Sequence, residues 1–87
     1  MTVSVGPSLV SAIGIPAVNG AASLSAPGLK VGDVVIKVTL HYANGSANYG
    51  DPPGSSVEAV VSVADEIQQI GGNLAGGTID VFMVRLP

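Results

Sequence analysis

Between Gly28 and Tyr42 the chain reads Gly-Leu-Lys-Val-Gly-Asp-Val-Val-Ile-Lys-Val-Thr-Leu-His-Tyr. Val34, Ile36, Val38 and Leu40 alternate with Val35, Lys37, Thr39 and His41, a period of two that fits a β-strand and no helix face. The first set is wholly apolar and predicts a covered face; the second is mixed and can meet solvent. From Thr78 to Leu86 the alternation returns, with Ile79, Val81, Met83 and Arg85 on one side and Asp80, Phe82, Val84 and Leu86 on the other. Both sides are mostly apolar, which places this strand centrally or at an interface. Gly20 to Ala26 reads as a strand of small residues, Ala22, Leu24 and Ala26 against Ala21, Ser23 and Ser25. Ser55 to Ala64 predicts another strand, with Val57, Ala59, Val61 and Val63 on one face.

The remaining runs are shorter. Thr2–Val5 and Ser8–Ile13 are β-prone but are broken by Gly6-Pro7 and by Gly14-Ile15-Pro16. Asn19-Gly20 favours a type I′ turn, and Gly32-Asp33 makes a tight turn before the long strand. Ile67–Ile70 reads as a short strand, because Glu66–Ile70 is too short and uncapped to hold a helix. Residues 42–54 form the longest loop, rich in turn formers. It is either a plain surface loop or a contact surface, with Tyr49 as the possible anchor. Together these signals give about six to eight short strands with turns every ~8–12 residues, an all-β fold of the small β-sandwich or β-barrel type. Residues 1–16 are expected as an N-terminal arm or edge strand, and residues 17–87 as a single β domain.

Composition sharpens this picture. A chain of 87 residues and 8.5 kDa is expected to leave roughly 4,600 Å² exposed out of roughly 12,000 Å² unfolded, a thin core. There is no cysteine to add a disulfide and one histidine only. Charged residues make up 10% of the chain, against about 25% in an ordinary soluble domain. So few charges imply surface hidden against other chains. The net charge of −3 and three basic residues argue against nucleic acid. No run of ~20 apolar residues predicts a membrane span, and Met1–Leu9 carries no basic residue of the kind that opens a signal peptide. Synthesis and folding in the cytoplasm are the expectation.

Candidate chemistry is sparse. Asp65-Glu66 are strand neighbours that point apart, so they share neither a proton nor a metal. Asp33 fits a role hydrogen-bonding its own turn. Asp33, Asp51, Asp65 and Asp80 are too scattered to spell a calcium loop. His41 has no second histidine or cysteine beside it, a weak metal signal, and no Gly-x-Ser-x-Gly elbow accompanies it. The glycine pairs lack the lysine of a phosphate loop. The expectation is no enzyme, no cofactor and no metal.

Ala26-Pro-Gly-Leu-Lys-Val-Gly-Asp-Val-Val, the loop rich in glycine and proline, Val61-Ser-Val-Ala-Asp-Glu-Ile-Gln-Gln, and the terminal Thr-Ile-Asp-Val-Phe-Met-Val-Arg resemble small structural proteins of tailed bacteriophages. The resemblance covers most of the chain from Gly20 onward. It implies a β-sandwich or β-tulip that sits on a capsid as a decoration (cement) protein, often trimeric, or in the tail and fibre apparatus. It implies the major capsid protein as partner, the virion surface as location, and an extended arm, about Met1 to Pro16, reaching a neighbour. With the low charge, it points to contact through the small-residue strands, the last strand and the long loop: Ala22, Leu24, Asn44, Asn48, Tyr49, Val81 and Met83. The Gly28–Val35 turn also resembles that of PDZ domains, without their carboxylate-binding loop or groove helix. A sugar-binding module would have only Tyr42, Tyr49 and Phe82 as aromatic platforms.

Overall fold

The computed structural model describes residues 1–42 and 54–87, and residues 47–51 as main chain only. The fold is all-β, with no helix among the described residues, hence none long and apolar enough to cross a membrane. Seven strands follow in chain order: β1 (Thr2–Val5), β2 (Leu9–Pro16), β3 (Ala22–Ser25), β4 (Val34–Tyr42), β5 (Ala47–Asp51), β6 (Glu66–Gln69) and β7 (Gly77–Val84). Five form an antiparallel sheet in the order β1-β2-β7-β4-β5, and β3 pairs with β6 in a second, two-stranded sheet. The larger sheet is open, with β1 and β5 as its edges, so the barrel expectation is not met among these strands.

The strand that is apolar on both faces, β7, lies at the centre of the larger sheet. Its inner residues Ile79, Val81 and Met83 stand opposite Ile15, Ala12 and Val10 of β2 and Leu40, Val38 and Val35 of β4. All nine are buried, and they share one core with Leu24 and Ile67 of the small sheet and with Leu29, Val57, Val61 and Leu74 between strands. The exposed surface of 4506 Å² is close to that expected for a chain of this mass.

Residues 1–16 are not an arm. β1 is an edge strand, but β2 is interior, and its Val10, Ala12 and Ile15 belong to the core. Gly14 does not end β2. Its φ of +76° forms a bulge in which Ile13 and Gly14 together oppose Asp80, and the strand runs on to Pro16.

A second bulge corrects the expected face of β4. Val35 stands opposite Met83 and Lys37 opposite Phe82, so Ile36 is an extra residue. The alternation slips there: Val35, Val38 and Leu40 are buried, Val34 is half-buried, and Ile36 is 53% exposed.

The expected strand over Ser55–Ala64 is instead an irregular bridge between the sheets. The amides of Val35 and Gly32 donate to the carbonyls of Ala59 and Val61, while Glu58 and Ile70 donate to Gln68 and Ser56. Because successive bonds go to different partners, Val57 and Val61 are buried while Ala59 and Val63 are exposed.

Two polar clips hold the irregular segments. The buried Gln69 side chain accepts from the Val18 amide at 3.1 Å and donates to the Val18 carbonyl at 2.7 Å. Arg85 grips the buried Asp33 carboxylate with two bonds of 2.8 Å and also donates to the Gly28 carbonyl, while the Lys30 amide donates to Asp33. The Arg85 hydrogen bonds hold the Asp33 carboxyl below the usual carboxylate range. Burial opposes this shift, and the Lys30 amide adds to it. Asp33 therefore caps its own turn, as expected, but its main partner comes from the far end of the chain.

Gln69→Leu should destabilise the fold by about 1–3 kcal/mol in urea unfolding, because it leaves the Val18 amide without its side-chain partner, whereas the Val18 carbonyl keeps the Leu74 amide. A lowered Asp33 pKa contributes stability that is present above the unfolded value near 4 and is lost as pH falls through the folded value. Asp33→Asn should thus lower the melting temperature at pH 7, and the gap from the parent protein should close as pH falls below about 4.

Candidate functional site

The outer face of the larger sheet, turned away from the core, carries the candidate site. Its rows follow from register. Ser4, Ser11, Phe82 and Lys37 form one row across β1, β2, β7 and β4, and Leu9, Val84 and Val34 form the next. The β4 bulge adds Ile36 beside Phe82. Leu9 is 66% exposed, while Phe82 is half-buried. The two serine side chains end after one carbon and one oxygen. They leave a hollow of about 530 Å³ lined by Ser4, Val5, Leu9, Ser11, Ile36 and Phe82 among others. Its lining is mostly apolar, the character of a surface that receives an apolar side chain.

The opposite end of the same face is polar. Asp80 projects from β7 where the β2 bulge faces it, and the Gly14 amide donates to Asp80 Oδ1 at 2.9 Å. Asp80 Oδ2 lies 3.0 Å from His41 Nε2 and accepts from Thr39 Oγ1 at 3.4 Å. Thr39 Oγ1 is also 3.5 Å from His41 Nε2. The carboxylate and the hydroxyl therefore meet the same ring nitrogen. A nucleophile relay needs one on each nitrogen, so the cluster is not a hydrolytic triad.

The predicted contact residues divide. Leu24, Val81 and Met83 are buried in the chain's own core, which corrects their assignment to a contact surface. The same apolar alternation that marks an interface strand marks a core strand, and here it serves the core. Ala22 is half-buried, packed against the core and paired with Gln69. Asn48 and Tyr49 lie on β5, one edge of the sheet, and Asn44 lies outside the described residues. Asp65 and Glu66 do not converge: the Asp65 carboxylate accepts from the Gly28 amide, and Glu66 accepts from Gln68. Among the described residues no three His, Cys, Asp or Glu side chains gather as metal ligands.

Residue-level reading missed Leu9, Ile36 and Phe82 as a surface. Phe82 could be assigned to the face opposite Val81, but the exposure of Ile36 depends on a bulge with no glycine to mark it. The chain matches no protein-family model, no curated protein and no solved structure.

Leu9→Ser and Ile36→Ser should each change folding stability by less than about 0.5 kcal/mol, since both side chains already meet water. Val81→Ala, in the core, should cost about 2 kcal/mol by the same urea unfolding measurement.

Proposed function

We propose that this chain is a virion structural protein of a tailed bacteriophage, a capsid decoration protein that binds between major capsid subunits and stabilises the head. The observation that carries this reading is the outer face of the five-stranded sheet, where Leu9, Ile36 and Phe82 surround a serine-floored hollow. A chain with 10% charged residues and a thin core gains more than most from covering such a face. The resemblance of the Ala26–Val35, Val61–Gln69 and Thr78–Arg85 stretches to phage structural proteins supplies the kind of assembly. On this reading the hollow receives an apolar side chain of the major capsid protein, and the subunits act as trimers with no enzymatic step.

Fractionated particles of the phage that encodes the chain provide the test. The chain should sediment with heads, and Leu9→Asp with Ile36→Asp should reduce head binding at least about tenfold. Sedimentation with tails alone would move the chain to the tail or fibre apparatus. Absence from both fractions would overturn the virion reading. Light scattering should give three times the 8.5 kDa chain mass, at the latest on docking.

A further inference from the structure

We propose that the open edge of β1 pairs two copies of this chain about a two-fold axis at Ser4, joining their five-stranded sheets into one. The contact does not rest on the decoration reading. The hairpin between β1 and β2 decides which main-chain groups face that edge. The Gly6 amide donates to the Leu9 carbonyl, so Gly6 and Leu9 are a hydrogen-bonded pair. Such pairs alternate along an antiparallel ladder, and the register makes Ser4–Ser11 and Thr2–Ile13 the next ones. On the other side of β2, the Arg85 amide donates to the Ser8 carbonyl, so Ser8, Val10 and Ala12 turn their main chain to β7 and not to β1. Val3 and Val5 therefore direct their N–H and C=O groups away from β2. Among the described residues no strand lies beyond them.

Exposed strand edges are usually blunted by a charge, a proline, a bulge or a covering segment. β1 carries none of the first three. It reads Thr-Val-Ser-Val, pairs with β2 without a register shift, and no Asp, Glu, Lys or Arg precedes Lys30 in the chain. Thr2, Ser4 and Val5 are exposed, Val5 by 52%.

The edge is its own complement. With Ser4 opposite the partner's Ser4, Val3 meets the partner's Val5, and Val5 meets the partner's Val3. These are the residues with outward groups, so two hydrogen-bonded pairs form. Centring the axis on Val5 instead sets Val3 opposite Pro7, which has no N–H. Centring it on Val3 sets Val5 opposite Met1, outside the strand. Val3 and Val5 project to the inner face, beside Gly28, and the pairing covers Val5 with the partner's Val3. On the outer face the two Ser4 side chains meet at the closest separation in a ladder, about 4.5 Å between Cα atoms. Two hydroxyls so placed hydrogen-bond to each other. No charged side chain of β1 or β2 enters the contact.

One short strand from each copy buries less than the ~1,000 Å² of a lasting interface, so the pair is weak, with a dissociation constant of about 10 µM to 1 mM. A two-fold contact does not close a ring of three. It joins whole assemblies in pairs and is separate from the threefold association proposed above.

In sedimentation equilibrium of the full chain, the average mass should rise with concentration toward twice that of the unit present at low concentration. Val5→Pro removes an N–H that faces the open edge. Ser4→Lys sets like charges face to face on the axis and, at an exposed position, should melt close to the parent. Each should raise the dissociation constant at least about tenfold. The chain has no cysteine, so Ser4→Cys adds one thiol that meets its own copy within disulfide reach. Air oxidation should convert it to a covalent dimer at least about tenfold faster than Thr2→Cys, which faces the partner's Gly6. A mass that stays constant up to about 1 mM would overturn the proposal. So would Ser4→Lys associating as tightly as the parent, or equal cross-linking of Ser4→Cys and Thr2→Cys. Growth past doubling would overturn it too, by marking a head-to-tail pairing of β1 with a different edge.

Discussion

The fold depends on one central strand that is hydrogen-bonded along both its edges. β7 carries the hydrogen-bond ladders to β2 and to β4, and its inner side chains Ile79, Val81 and Met83 are the middle of the core. Remove it and β1-β2 and β4-β5 become separate hairpin-like pairs, neither able to bury its apolar residues. Because β7 follows β1, β2, β4 and β5 in sequence, the sheet cannot be completed until β7 is in place. The long-range nature of these pairings makes such a topology slow to form compared with local hairpins.

Around that centre the chain compensates for its modest core with polar clips. Gln69 fixes the crossing at Val18, and Arg85 fixes the turn at Asp33 and Gly28. Each clip joins segments far apart in sequence, where regular strand pairing is missing. Among the described residues no buried side-chain nitrogen or oxygen lacks a partner. In so small a domain each clip is a sizeable share of the net stability.

Strand existence was legible where alternation was unbroken. β7 reads as central or at an interface because Ile79, Val81 and Met83 stand against the equally apolar Phe82 and Val84, and the structure makes it central; Ala22-Ser23-Leu24-Ser25 forms a strand with Leu24 inward. Reading failed where backbone geometry overrode periodicity. Ile36 sits in a bulge, so the expected inward set holds beyond it at Val38 and Leu40 and fails at Val34 and Ile36, where Val35 turns inward instead. Val57 to Val63 alternates like a strand, yet its hydrogen bonds serve two sheets and its buried residues are four apart. The candidate site was hardest to read. Thr39 and His41 are two residues apart on one strand, but Asp80 and Gly14 reach them only through sheet order and a bulge, neither of which is written in local sequence.

The two bulges have a geometric effect beyond re-aiming side chains. β2 places two residues against Asp80 alone, and β4 inserts Ile36 near Phe82, so both neighbours of β7 use one residue more than β7 to run the same distance. The central strand is the shortest path through the sheet, and the flanking strands must take up their excess length by coiling about it. A bulge bends the strand that carries it and raises its local twist, so the sheet's twist is reinforced at Gly14 in β2 and at Ile36 in β4. Twist fixed at these two points works against the flat, untwisted stacking that weakly charged β-surfaces invite.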